Sequence, residues 1–113
     1  MTQASHMEQR LPDEEIHDLQ MTVPNWLLHG DNMIEREFMC KDFRDAINFV
    51  NNVADLAEKM NHHPEICINF NKVDIKLSTH KAQGLTHKDF DLAAQIDRIK
   101  QPAANPKQTG PVA

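Results

Sequence analysis

The chain has 113 residues, 40% of them hydrophobic and 26% charged, which is the composition of one globular domain rather than of a disordered segment. Twelve Lys and Arg against seventeen Asp and Glu leave a net charge of −5 and exclude the broad basic surface that direct nucleic-acid binding requires. Two cysteines without a C-x-x-C, three glycines and no apolar run above three residues exclude a disulfide framework, a glycine-rich phosphate loop, a membrane span and a signal-peptide core; a reducing, cytoplasmic setting is expected.

Residues 1–10 are polar and unpatterned and read as a flexible N-terminal tail. Residues 101–113 hold three of the six prolines and one bulky apolar side chain, Val112, too little to offset ordering entropy, and read as a disordered C-terminal tail. The folding unit is therefore residues 11–100. Pro12-Asp13-Glu14-Glu15 opens a short helix, since proline suits a first turn and acids suit the positive helix end. Two strands follow around Gly30-Asp31-Asn32: one from Trp26-Leu27-Leu28, one from Met33 to Cys40, with Ile34, Phe38 and Cys40 on one face and Arg36 interrupting it. A long helix is expected next, with Phe43, Ile47, Val50, Val53, Ala54, Ala57 and Met60 at helical spacing, Asp42 as N-cap and Pro64 as terminator. A hairpin alternates Ile66, Ile68 and Phe70 with Val73, Ile75 and Leu77 across an Asn71-Lys72 turn. The last helix starts at Thr86 and turns Phe90, Ala93, Ala94 and Ile96 or Ile99 inward. Helices and antiparallel hairpins in the order α-β-β-α-β-β-α make an α+β fold, a four-stranded antiparallel sheet with helices on one face.

Histidine carries the functional signal: seven are present, four of them between positions 62 and 87. With Asn71-Lys72 as the turn, Phe70 opposes Val73, Ile66 opposes Leu77, and the extended register sets His63 against His80. His62 sits beside His63 at the end of the long helix, and Glu58, four residues earlier, lies on its face. Three imidazoles with a carboxylate suit proton transfer near neutral pH. A plainer alternative for His62-His63 is a solvated pair favoured by the helix dipole. Zinc held by His62, His63, His80 and Cys67 is a third reading, weakened by the absence of H-x-x-x-H spacing and by the position of Cys67 at mid-strand. A Cys-His nucleophile is weaker again, because neither cysteine approaches the cluster. His17, His29 and His87 read as surface residues. Thr86-His87-Lys88-Asp89 has the form of a capping box, which by itself accounts for an acid at 89.

Glu58-x-x-x-His62-His63-Pro64, Phe70, Asn71-Lys72-Val73, Leu77-Ser78-Thr79-His80 and Asp89 together resemble the pattern of pterin-4a-carbinolamine dehydratases, and the likeness extends from about Leu11 to Lys100. The resemblance implies three helices on one face of the sheet and dehydration of 4a-hydroxytetrahydrobiopterin to the quinonoid dihydropterin, in recycling the cofactor of an aromatic amino-acid hydroxylase. It places catalytic histidines at 62, 63 and 80, supporting acids at Glu58 and Asp89, and further substrate contacts at Asn61, Ser78, Thr79 and Lys81. It implies no metal or organic cofactor, and a homodimer or homotetramer built through strand edges and the long helix. Animal members also act as dimerisation cofactors of a transcription factor, so a non-enzymatic, partner-binding role, with a nuclear as well as a cytoplasmic location, is the alternative. Departures are Asn61 where many members have an acid, Ile66-Cys67 in place of an aromatic-containing pair, and Pro12 where a Ser cap is frequent.

Overall fold

The computed structural model describes residues 9–100; both expected tails, apart from Gln9 and Arg10, lie outside them. The elements are α1 (Asp13–Gln20), β1 (Leu27–His29), β2 (Met33–Met39), α2 (Phe43–Met60), β3 (Glu65–Asn69), β4 (Lys72–Leu77) and α3 (His87–Ile99), with a 3-10 turn over His80–Ala82. The strands form one antiparallel sheet in the order β1-β2-β4-β3. This is the expected α+β fold.

Alternation decides which face is covered. Ile34 and Phe38 of β2 and Val73, Ile75 and Leu77 of β4 are buried in one cluster with Ile16 of α1, Phe49 and Val53 of α2, and Phe90, Leu92 and Ile96 of α3. Arg36 shares that face without breaking it: its guanidinium lies 4.4 Å from the Phe38 ring centroid and pairs with Asp97 of α3 at 2.7 Å. On the opposite face Glu35 of β2 and Asp74 of β4 are diagonal neighbours, hydrogen-bonded through their side chains. Burial pushes Asp74 up to about 6, helped by the hydrogen bond and charge of Glu35. Glu35 is held below its usual range by that same hydrogen bond, with His29 and Lys76 assisting.

The helical stripe of α2 is narrower than its apolar residues suggest. Ala46, Phe49, Val53 and Ala57 are buried, whereas Phe43 is 53% exposed and Ala54 also faces solvent. Asp42 caps the helix, its side chain accepting from Asp45 N–H at 2.8 Å. Leu92, absent from the expected core, is fully buried on α3.

The hairpin register differs from expectation by two residues. Ile68 pairs with Val73, Ile66 with Ile75 and Glu65 with Lys76, so the turn is Phe70-Asn71 rather than Asn71-Lys72. Phe70 takes a positive φ of 57° and is 66% exposed, not a core residue. The shift has a tertiary cause. Asn71 accepts from Cys40 N–H at 2.7 Å through its carbonyl and donates from Nδ2 to Cys40 O at 3.1 Å, which ties the turn to the end of β2. Because the slip is even, every side chain keeps its face. Pairing stops at Glu65, so His63 and His80 do not oppose each other on the sheet.

Candidate active site

The site forms where α2 ends. Asn61, not Pro64, stops the helix: it adopts the left-handed conformation (φ 51°, ψ 46°), with Asn61 N–H donating to Glu58 O at 3.2 Å and His62 N–H to Ala57 O at 3.0 Å. That is a Schellman ending, with asparagine in the place glycine usually takes. It turns the chain so that two adjacent histidines part. His62 goes inward and is 8% exposed, while the His63 side chain stays 60% exposed. Glu58 therefore meets His63, with Oε2 and Nε2 at 2.8 Å, rather than His62 as a continuing helix would have it.

The opposite wall is the connection from β4 to α3. Thr79 and Gly84 bridge as a one-pair ladder, with Thr79 N–H to Gly84 O at 3.0 Å and Gly84 N–H to Thr79 O at 3.3 Å. The loop between them carries the 3-10 turn and closes through Gln83 at φ 59°. Gly84 lies under Arg10, and a Cβ there would fall 2.6 Å from Arg10 Nε. His80 thus returns to the end of α2 on a pinned loop, not by strand register. Its ring is exposed and makes no hydrogen bond among the described residues.

Behind His62 lies a buried polar network. Asp89 and Thr86 are fully buried, and Thr79 is 8% exposed. Asp89 Oδ2 accepts from Thr86 N–H at 2.9 Å and from the Thr79 hydroxyl at 2.7 Å, and Oδ1 lies 2.5 Å from His62 Nε2. The Thr79 proton being committed to Asp89, the Thr86 hydroxyl donates to Thr79 Oγ1 at 2.9 Å and accepts from Lys88 N–H at 3.2 Å. Every donor in the network has an acceptor, as burial demands. The chemical consequence falls on His62. A carboxylate only accepts, so Nε2 carries the proton and Nδ1 of the neutral ring is left with a lone pair.

Asn61, His62 and His63 on one side and Ser78, Thr79, His80 and Lys81 on the other line a cavity of about 230 Å³. All the residues expected to meet substrate are therefore brought together. Glu58 stands at its edge through His63, and Asp89 behind it through His62. Lys88, also in the lining, was not foreseen. It sits inside the capping box of α3, and a cation one residue before a buried acid was the available signal. The zinc grouping is not assembled: Cys67 lies exposed at mid-strand, and no three His, Cys, Asp or Glu side chains among the described residues are disposed to hold a metal. His29 and His87 pair with Glu35 at 2.6 Å and Glu15 at 3.0 Å, and neither lines this cavity.

Comparison with known proteins gives a consistent family. Residues 9–99 match the model of the pterin 4 alpha carbinolamine dehydratase family. A provisionally named pterin-4-alpha-carbinolamine dehydratase of Roseiflexus castenholzii is 52% identical over 89 residues, covering 79% of this chain and 95% of the relative. Another so named, from Sulfurisphaera tokodaii, is 43% identical over 90 residues, covering 80% of this chain and 96% of its own length. Among solved structures, a transcriptional coactivator/pterin dehydratase from Brucella melitensis superposes with a TM-score of 0.77 at 34% identity, over 81% of this chain and 99% of that one.

Proposed function

The chain belongs to the pterin 4 alpha carbinolamine dehydratase family, and on that premise we propose that it dehydrates a 4a-hydroxytetrahydropterin to the quinonoid dihydropterin by histidine acid–base catalysis. The reaction breaks the C4a–O bond, releases water and forms C4a=N5. A proton must reach the departing hydroxyl and another must leave N5. The observation that carries the reading is His62, its tautomer fixed by buried Asp89, sharing one small cavity with the exposed ring of His80.

His62 Nδ1 is the base that takes the N5 proton. Asp89 stabilises the imidazolium that results, as a buried carboxylate does behind a catalytic histidine. His80 is the acid that protonates the leaving hydroxyl, and its exposure lets solvent restore its proton. His63, held by Glu58, packs against and positions the ring, while Ser78, Thr79 and Asn61 offer hydrogen bonds to the heterocycle. The step as written is proton transfer with loss of water: His80 gives one proton to the departing hydroxyl and His62 receives the other from N5. The setting that fits is recycling of tetrahydrobiopterin for an aromatic amino-acid hydroxylase in the cytoplasm, by a homodimer or homotetramer.

A rapid-mixing assay following the quinonoid product tests the reading: wild-type protein accelerates dehydration and the His80→Ala protein loses most of that acceleration. Wild-type rates in both His80→Ala and His62→Ala would overturn it. A partner-binding role on the same fold has its own support in the exposed Phe43 and Phe70, and in the Brucella relative described as a coactivator. Such a role would survive both histidine substitutions.

A further inference from the structure

Thr79 stands where the supports of two histidines meet. Its hydroxyl donates to Asp89 Oδ2 at 2.7 Å, and Asp89 Oδ1 in turn holds His62 Nε2. Its backbone closes the loop that carries His80: Thr79 N–H donates to Gly84 O at 3.0 Å, and Thr79 O accepts from Ala82 N–H at 3.0 Å and from Gly84 N–H at 3.3 Å. The two donors on Asp89 Oδ2 therefore do different things. Thr86 N–H belongs to the cap of α3 and fixes the carboxylate relative to its own helix. The Thr79 hydroxyl fixes it relative to the wall on which His80 stands.

The last torsion of an aspartate side chain is soft, so a carboxylate held by one donor rocks, and the ring on its other oxygen rocks with it. The direction of the hydroxyl is also set. Asp89 Oδ2 only accepts, so Thr79 donates to it, and the Thr86 hydroxyl donates to Thr79 Oγ1 at 2.9 Å. A heterocycle in the cavity thus finds a lone pair at the Thr79 hydroxyl, not a proton. Resting on the proposed dehydration, we propose that Thr79 is a positioning residue: its hydroxyl holds the Asp89 carboxylate, and through it the His62 ring, in line with the loop that carries His80. Its main contribution is to the alignment of base and acid, not to affinity for the heterocycle.

Two substitutions separate the hydroxyl from the shape of the residue. Thr79 has extended backbone, φ −118° and ψ 100°, which suits a β-branched side chain. Thr79→Val keeps that shape and loses the hydroxyl; Thr79→Ser keeps the hydroxyl and loses the methyl. The readouts are the single-turnover rate of dehydration and the Kd of an oxidised, unreactive pterin. In Thr79→Val the rate falls by about tenfold, the part of one hydrogen bond to an ionised group that alignment passes to the transition state. The Kd stays within about twofold of wild type, and Thr79→Ser recovers the rate to within about threefold. A folded Thr79→Val protein with the wild-type rate, a loss that appears in Kd instead of rate, or a Thr79→Ser protein as slow as Thr79→Val overturns the proposal. NMR of the wild-type protein supplies a measurement that needs no variant to fold: the Thr79 hydroxyl proton exchanges slowly with water, and rapid exchange overturns the proposal. Failure of the wild type to dehydrate the substrate overturns the dehydratase reading instead, and the exchange of that proton still decides whether Thr79 holds Asp89.

Discussion

Replacing Asp89 by asparagine tests the link between the buried network and His62, because the amide keeps the carboxylate's shape while changing one acceptor into a donor. Thr86 N–H and the Thr79 hydroxyl, at 2.9 and 2.7 Å, both need an acceptor at the Oδ2 position. The backbone N–H cannot reverse its polarity, so in Asp89→Asn the amide places its carbonyl there and its NH₂ against His62 Nε2. His62 must then accept at Nε2 and carry its proton on Nδ1, which removes the lone pair needed for N5. A charge-assisted hydrogen bond worth about 1.5–3 kcal/mol is exchanged for a neutral one worth about 0.5–1.5 kcal/mol, and the tautomer penalty adds to the difference. The rate of dehydration is expected to fall by about 10²–10³, within the range of about 10²–10⁴ that general acid–base catalysis contributes. The number of hydrogen bonds is conserved, so the loss of stability is confined to about 1–2 kcal/mol. Rapid mixing gives the rate, urea unfolding the stability, and ¹⁵N NMR of the His62 ring the tautomer. A folded variant with a rate within about threefold of wild type, or with the proton still on Nε2, refutes the reasoning.

Further substitutions separate the remaining roles. His80→Ala removes an exposed ring without internal bonds, so activity drops by about 10²–10⁴ while stability stays within about 0.5 kcal/mol; His62→Ala also strands the Asp89 carboxylate and costs about 1–3 kcal/mol in urea unfolding. Asn61→Ala loses about 1–2 kcal/mol through the left-handed conformation, and Asn61→Gly does not; equal stability of the two variants would contradict the helix-ending role. Asp74, pushed up from 3.8 to about 6, binds its proton more tightly folded than unfolded, so its cost is absent at low pH, grows through that window and is complete above it. The nominal cost is about 3 kcal/mol; the solvated sheet face and the opposite shift of Glu35 reduce it to about 1 kcal/mol. Asp74→Asn should then raise Tm by about 4–8 °C at about pH 8 and by less at about pH 4.5, and equal Tm changes at the two pH values would show that the pair is not strained.

The fold was largely legible because alternation and helical spacing mark which side of each element is covered. They do not fix where strands meet. Registers two residues apart put identical side chains on identical faces, and the choice was made by Asn71 bonding to Cys40, 31 residues away in sequence. The same limit shaped the site. His63 and His80 were expected to meet across the hairpin; His80 instead arrives on the loop that Thr79 and Gly84 close. Asp89 shows a different difficulty. Its capping role is a sufficient local explanation, yet a carboxylate has two oxygens: Oδ2 completes the cap and Oδ1 holds His62. Nothing local to residues 86–89 reveals the second bond, which spans 27 positions. Lys88 was hidden by the same motif that explained its neighbours.

Trp26 gives the molecule a built-in optical reporter. It is the sole tryptophan in a chain without tyrosine, it is fully buried, and its Nε1–H donates to Asp97 on α3 at 2.9 Å while its edge packs on Phe38. Emission excited near the red edge therefore comes from one indole joined to a carboxylate 71 residues away. Its wavelength records whether α3 is assembled on the segment that leads into β1, in the same cuvette and without a label. Every stability comparison above can be read from that single fluorophore, and pterin absorbance leaves activity to a separate channel.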